Sequence, residues 1–204
     1  MTIIIKPTYN CNLRCRYCYL DNNLKQHALL FDLDFAKHII DQIKQVMQEK
    51  PRRKLTIIWH GGEPMLWGID NYRTIFAYME QVLDGYEVQN SMQTNLSLVN
   101  DKWIDLFLQY NMRVGFSLDG TPDIHNQQRV GLRGEPTFER IIANYHLCKQ
   151  RGMRIGCIVV GSKKHIGHIP ELYRFMCNEG ISFKFNPLFC SGEAQNNMED
   201  YGIT

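Results

Sequence analysis

Short β-type runs and amphipathic helical runs alternate along nearly all of this 204-residue chain. Strand patterns fall at residues 3–6, 55–59, 88–94, 113–118, 154–160 and 181–186, rich in β-branched and aromatic side chains and punctuated by Gly or Asn. Helical patterns lie between them. Phe35, Ile39, Ile43, Val46 and Met47 recur at helical spacing, with Asp32 or Asp34 as N-cap and Pro51 beyond the end. Tyr72, Ile75, Phe76, Met79 and Leu83 stop at Gly85, a good residue to follow a helix. Ile104, Phe107 and Leu108 follow Asn100 and Asp101, and Ile141, Ile142, Tyr145 and Cys148 run from Thr137 to Gly152. Leu172, Tyr173, Phe175 and Met176 follow Pro170, a first-turn proline, and end at Gly180. Strands separated by helices imply βαβ units and a parallel sheet. Six strands with five full helices fall short of the eight-fold barrel, which takes roughly 250 residues. The expectation is an α/β fold, a partial (β/α)6 TIM-like barrel that is laterally open, with a doubly wound open sheet as the alternative. Residues 1–190 form that core, and residues 191–204 are a polar tail, either a simple extension or the start of a further region.

Composition removes several classes of function. A net charge of +2 gives no argument for nucleic acid or a membrane surface as partner. No apolar run approaches the roughly 20 residues that span a bilayer. The start, Met-Thr-Ile-Ile-Ile-Lys-Pro, lacks the layout of a signal peptide. Seven cysteines, odd in number and unevenly spaced, do not suit a secreted disulfide framework. A reducing cytoplasm is the expected compartment.

Three of those cysteines, Cys11, Cys15 and Cys18, stand on one short stretch directly after the first strand pattern. Thiolates favour iron–sulfur clusters or zinc. Three ligands are one fewer than a closed site needs, so if no fourth protein ligand arrives, a cluster held there keeps an open iron. Each later strand also runs into a polar or glycine-rich group: His60-Gly61-Gly62-Glu63-Pro64, Gln93-Thr94-Asn95, Ser117-Leu118-Asp119-Gly120, Gly161-Ser162 and Asn186-Pro187. In a barrel these all fall on the rim where ligands bind. That agreement is the argument for an enzyme.

The Cys-x3-Cys-x2-Cys run with Tyr17 before its last cysteine, followed by Gly-Gly-Glu-Pro after the second strand, resembles the radical S-adenosylmethionine superfamily. Gln93-Thr94-Asn95, Phe116-Ser117-Leu118-Asp119-Gly120 and the segment from Ile124 to Arg129 resemble its branch of anaerobic sulfatase maturases and ribosomal-peptide maturases, whose members commonly carry a C-terminal SPASM cluster domain. The resemblance runs over residues 1–190. It implies that Cys11, Cys15 and Cys18 bind three irons of a [4Fe–4S] cluster whose fourth iron chelates S-adenosylmethionine. Reductive cleavage to methionine and a 5′-deoxyadenosyl radical would then abstract hydrogen from a peptide or protein side chain, the cofactor carrying the hard chemistry. A low-potential electron donor of flavodoxin or ferredoxin type is implied as partner.

The resemblance also assigns cofactor contacts to Tyr17, Gly61, Gly62, Glu63, Pro64, Ser117, Asp119, Arg129 and Leu188. Gly61 and Gly62 would let the backbone approach the cofactor ammonium, with Glu63 adding negative charge or its backbone and Pro64 fixing the turn. A plain βα turn also accounts for the two glycines. Ser117 and Arg129 would take the cofactor carboxylate. Asp119 would meet a ribose hydroxyl, or it forms a turn with Gly120. Leu188 would pack on the adenine, or it belongs to the core. His60 and His125 lie nearest the rim, as substrate contacts or as structural histidines. Cys148, Cys157 and Cys177 read as buried, inert thiols, and Cys190 is thin support for a second cluster. Lys164 stands where the family's fifth-strand pattern has an acid. Other readings are a sulfatase-maturase core, a catalytically inactive peptide-binding subunit, and a zinc-binding interaction module whose fourth ligand is nearest at His27.

Overall fold

A computed structural model describes residues 1–26, 29–49 and 53–203. His27 and Pro51, the fourth-ligand candidate and the helix-ending proline, lie outside the described residues. The alternation becomes six parallel strands with helices between them. In chain order these are β1 (Thr2–Ile5), α1 (Asn22–Gln26), α2 (Leu33–Gln48), β2 (Lys54–Trp59), α3 (Ile69–Val82), β3 (Glu87–Thr94), α4 (Asp101–Gln109), β4 (Arg113–Ser117), α5 (Pro122–Gln128), α6 (Phe138–Gln150), β5 (Gly156–Gly161), α7 (Ile169–Glu179), β6 (Phe183–Pro187), α8 (Glu193–Asn196) and α9 (Met198–Tyr201). The sheet order is β1-β2-β3-β4-β5-β6, with β1 and β6 at the edges. This is the open, partial TIM-like sheet that the alternation implies, not a doubly wound one, because each strand is added beside its predecessor.

One face of the sheet carries the core. Leu55, Ile57 and Trp59 are fully buried, while Thr56 and Ile58 between them are half-buried. The alternation in β3 is the same, and its half-buried positions Gln89, Ser91 and Gln93 are polar. A parallel sheet in an ordinary α/β domain is apolar on both faces. The second face here is mixed, polar along β3 and apolar at Ile58, Ile158 and Val160.

The helices use narrower stripes than their sequences suggest. In α2 the buried line is Ala36, Ile40, Ile43 and Met47, and Phe35 and Val46 are exposed. In α4 Leu108 is exposed, and in α7 Leu172 and Met176 face the core while Tyr173 and Cys177 point outward. Cys177 is thus not a buried thiol, whereas Cys148 and Cys157 are. Helix ends follow the turn chemistry. Asn100 caps α4 by accepting from Trp103 N–H, and Gly180 ends α7 at φ +67°, where a side chain would be strained. No described helix is long and apolar enough to cross a membrane.

Candidate active site

Because every strand runs the same way, all six C-terminal ends meet on one edge. The segment after β1 carries Cys11, Cys15 and Cys18, all free and half-buried. It is bound on both sides. Outside, Arg14 N–H donates to Val130 O and Arg16 N–H to Gln128 O, both at 2.8 Å. Inside, Gly62 N–H donates to Thr8 O at 3.0 Å and Glu63 N–H to Asn10 O at 2.8 Å. Gly62 has no room for a side chain, since a Cβ there would stand 2.2 Å from Asn10 O and 2.3 Å from Tyr9 O. Gly61, at φ +121°, would meet Thr8 O at 2.3 Å. The two glycines are accordingly required for loop-on-loop packing, a reason different from the cofactor approach expected of them.

Glu63 differs as well. Its carboxylate is fully buried and turned into the protein, accepting from Met65 N–H (3.1 Å), Thr94 Oγ1 (2.7 Å) and Asn95 N–H (2.7 Å). Burial raises its pKa, against the pull of those hydrogen bonds. Pro64 opens the 3-10 turn Pro64–Trp67 that follows. Asn95 carries the connection onward, donating to Asn12 Oδ1 at 2.9 Å and to Cys11 Sγ at 3.8 Å, and Asn12 donates to Ser97 Oγ at 2.7 Å. Asn12 and Ser97 were not singled out by sequence. A short polar residue beside a thiol and another just past a strand end were the only available signals.

A second buried relay lies under the other end of the cysteine loop. Arg129 Nη1 donates to Tyr17 OH at 2.8 Å, and Tyr17 OH donates to Asp119 Oδ2, whose Oδ1 accepts from Val160 N–H at 3.2 Å. Both Asp119 oxygens thus have internal partners, and the residue is fully buried. The structure ties it to Tyr17 and β5 rather than exposing it toward a ribose. Burial raises the Asp119 pKa, opposed by Arg129. Burial disfavours the Arg129 charge, yet Cys15, Tyr17 and Asp119 outweigh it and hold the guanidinium well above its ordinary range. Arg129 is buried and its Nε is the one buried side-chain polar atom without a hydrogen-bond partner among the described residues. Ser117, expected to act with Arg129, instead accepts from Gln93 Nε2 at 3.2 Å on the second face of the sheet. Gly115 makes that crossing possible, since a Cβ there would stand 2.3 Å from Gln93 Oε1. Leu188 is half-buried just past β6.

The histidines separate. His125 is fully buried, its Nδ1 accepting from Asp119 N–H at 3.2 Å and its Nε2 3.0 Å from Thr137 Oγ1. Burial, then Arg129, holds its pKa well below the ordinary value, so it is a neutral structural residue. His60 stays half-buried at the rim, with Nδ1 accepting from Gly61 N–H at 2.7 Å and Tyr19 OH 3.4 Å away.

The donor set fits a soft metal cluster. Leu13 N–H at 3.4 Å and Asn95 Nδ2 both point at Cys11 Sγ, the hydrogen bonding that tunes cluster thiolates. Burial pushes the Cys11 thiol up to about 12 and also raises Cys15. Such thiols become thiolates when a metal cation stands among them. No three Cys, His, Asp or Glu side chains among the described residues already stand in a metal-holding arrangement. The triad is a set of donors carried on one loop, not a preformed clasp.

An open parallel α/β sheet with three thiols at its ligand-binding edge defines a class of cluster-bearing cores. The sequence model described as the Radical SAM superfamily matches residues 5–176, and the chain belongs to that superfamily. The cofactors of the family are a [4Fe–4S] cluster and S-adenosylmethionine. Among curated relatives, the serine-type anaerobic sulfatase-maturating enzyme of Klebsiella aerogenes is 30% identical over 195 residues, covering 94% of this chain and 48% of that one. The cysteine-type anaerobic sulfatase-maturating enzyme of Clostridium novyi is 28% identical over 189 residues, covering 90% of this chain and 50% of that one. The solved structure described as native anSMEcpe with bound AdoMet superposes with a TM-score of 0.83 at 23% identity, over 92% of this chain and 52% of that chain. At that identity the likeness speaks for the fold. The chain spans about half the length of these maturases.

Proposed function

We propose that this chain is the catalytic core of a radical S-adenosylmethionine enzyme that abstracts hydrogen from a peptide or protein side chain. The observation that carries the proposal is the meeting of three free thiols on one loop with the polar edge of the sheet, in a chain of this superfamily. Cys11, Cys15 and Cys18 would hold the cluster, which together with S-adenosylmethionine supplies a carbon radical strong enough to take an unactivated hydrogen. The chain's own residues do the positioning. Glu63 and Asn95 fix the Cys11 end of the loop, and Tyr17, Asp119 and Arg129 fix the end near Cys15 and Cys18. Arg129 adds a buried cation beside Cys15, and its free Nε is a donor for an anionic group such as the cofactor carboxylate. Gln93 and Ser117 line the second face toward which a bound cofactor would extend, with Leu188 at its far edge.

Two substrate readings remain within this class. A ribosomally made peptide suits the maturase branch that the sequence motifs resemble. The relatives named as cysteine- and serine-type sulfatase-maturating enzymes favour a sulfatase side chain instead. Anaerobic reconstitution with iron and sulfide, then dithionite reduction with S-adenosylmethionine, tests the class. Brown protein releasing 5′-deoxyadenosine is expected, with both signals lost in Cys15→Ala and kept in Cys148→Ala. Colourless protein, or equal loss in the two variants, contradicts the reading.

A further inference from the structure

We infer that the peptide taken up by this core is acidic, and that Lys6 and Lys184 receive its carboxylates at the two edges of the sheet. The inference rests on the proposed function and names the class of substrate for it. Registered partners in a parallel sheet point the same way, so strand pairing assigns the side chains of the second face. Ser117, Ile158 and Lys184 form one such row, and Ile4, Ile58, Ser91 and Arg113 another. Arg113 and Ser117 stand four apart on β4, so both rows share the face turned away from the helices. Phe183 and Phe185, on either side of Lys184, turn the other way, Phe183 onto the core and Phe185 onto the His165 ring. Lys6 is two residues past Ile4 on the same side, where His60 N–H donates to Ile5 O at 2.9 Å and carries the ladder one step further.

The charge on this face is one-sided. Its strand carboxylate, Glu87, is bonded to Lys54 at 2.6 Å at the N-terminal end of the sheet. Asp119, two residues beyond Ser117, is buried and held by Tyr17 and Val160, with Arg129 in the same relay. Lys6, Arg113 and Lys184 remain, and none of them is in an ion pair with a side chain among the described residues. Lys6 lies over the rings of Tyr9 and Tyr19, at 5.6 and 5.4 Å, which orient its ammonium without neutralising it. It lines a cavity of about 840 Å³ whose apolar walls include Leu24, Leu29 and Leu30. The carboxylate in that lining, Asp21, accepts from Asn23 N–H at 2.6 Å and makes no ion pair with Lys6. On β5, between the two edges, Gly156 has nothing within 4 Å of where a side chain would begin, so an extended backbone can lie close there. A segment crossing from β1 to β6 meets an uncompensated lysine at each edge. Carboxylates complement that arrangement, and a neutral or basic segment leaves both charges unpaired.

The probes are labelled synthetic peptides of one length with Glu, Gln or Lys at the same alternate positions, offered to reconstituted protein holding S-adenosylmethionine. Fluorescence anisotropy should rank Glu above Gln by about tenfold and Lys last, the preference shrinking as salt is raised. Lys6→Gln with Lys184→Gln should remove the preference. Iron content and dithionite-driven 5′-deoxyadenosine release without peptide should stay at the parent level. Lys184→Gln alone, at an exposed position of an edge strand, should give part of the loss if the double variant folds poorly. Equal binding of the Glu and Gln peptides by the parent, or an unchanged preference in the folded variants, overturns the acidic substrate and leaves the proposed function standing. Loss of deoxyadenosine release in iron-loaded variants assigns the lysines to the cofactor and overturns the inference as well. Parent protein that releases no deoxyadenosine with dithionite overturns the proposed function, and the inference with it.

Discussion

His125 shows how a rim residue that looks chemical can serve the fold. Its Nδ1 accepts from the Asp119 N–H, and its ring is buried beside a guanidinium that disfavours a second cation. Its folded pKa lies below the ordinary value of about 6.5, so the unfolded chain binds the proton more tightly. The stability it contributes is complete above that pH and is lost as pH falls below it, at up to about 1.4 kcal/mol per pH unit. His125→Asn keeps an acceptor for Asp119 N–H and removes the titration. Urea midpoints should therefore place the variant furthest below the parent at pH 7.5, with the gap narrowing at pH 5.5. A constant gap contradicts the assignment. Nearby carboxylates are common to both proteins and cancel in the difference. The identities of Tyr17, Glu63, Asp119 and Arg129 were legible in the sequence, but not their directions. Glu63 and Asp119 turn inward because each oxygen finds a backbone or hydroxyl donor there, and a linear sequence does not say which side of a loop a carboxylate faces.

The loops between elements are joined more tightly than their composition suggests. Gly62 packs against the carbonyls of Tyr9 and Asn10, so the loop after β2 fixes the height of the cysteine loop after β1. Gly62→Ala should push the two apart, costing about 1–3 kcal/mol and lowering the iron bound per chain after reconstitution. Gly156→Ala is the matched control, since its Cβ would meet nothing within 4 Å. Thermal midpoints and iron analysis check the pair, and equal behaviour of the two variants would contradict the packing account. All six strands and the five main helices were readable from periodicity. The helix faces were read less well. In α2 apolar residues fill two adjacent stripes, and the sequence weight of Phe35 favours the wrong one. Small Ala36 wins the buried position because α2 must approach the sheet and α3 closely.

Over the whole molecule, strand order places the chemistry. Six parallel strands added in sequence bring six loops to one edge, and the helices cover the opposite face of the sheet from the polar Gln93 and Ser117. This much follows from alternation alone. The role of residues 191–204 does not, because they lack periodicity. Within them α8 and α9 cross the cysteine loop, with Ala194 N–H donating to Cys18 O at 3.1 Å, Asn197 Nδ2 to Arg16 O at 3.0 Å and Tyr201 OH to Gln127 O at 3.0 Å. Lys164, standing in place of the family's acid, lies over the Tyr201 ring at 5.4 Å and helps hold α9. In the proposed reading, loop, relay and tail serve one requirement, a cluster held by three thiolates with a coordination position to spare. Mössbauer spectroscopy of the iron-57 reconstituted protein, with and without S-adenosylmethionine, tests it most directly. The account predicts a [4Fe–4S] spectrum in which a single iron shifts when S-adenosylmethionine is added. A cluster whose irons are all indifferent to S-adenosylmethionine, or a fourth protein ligand on that iron, would contradict it.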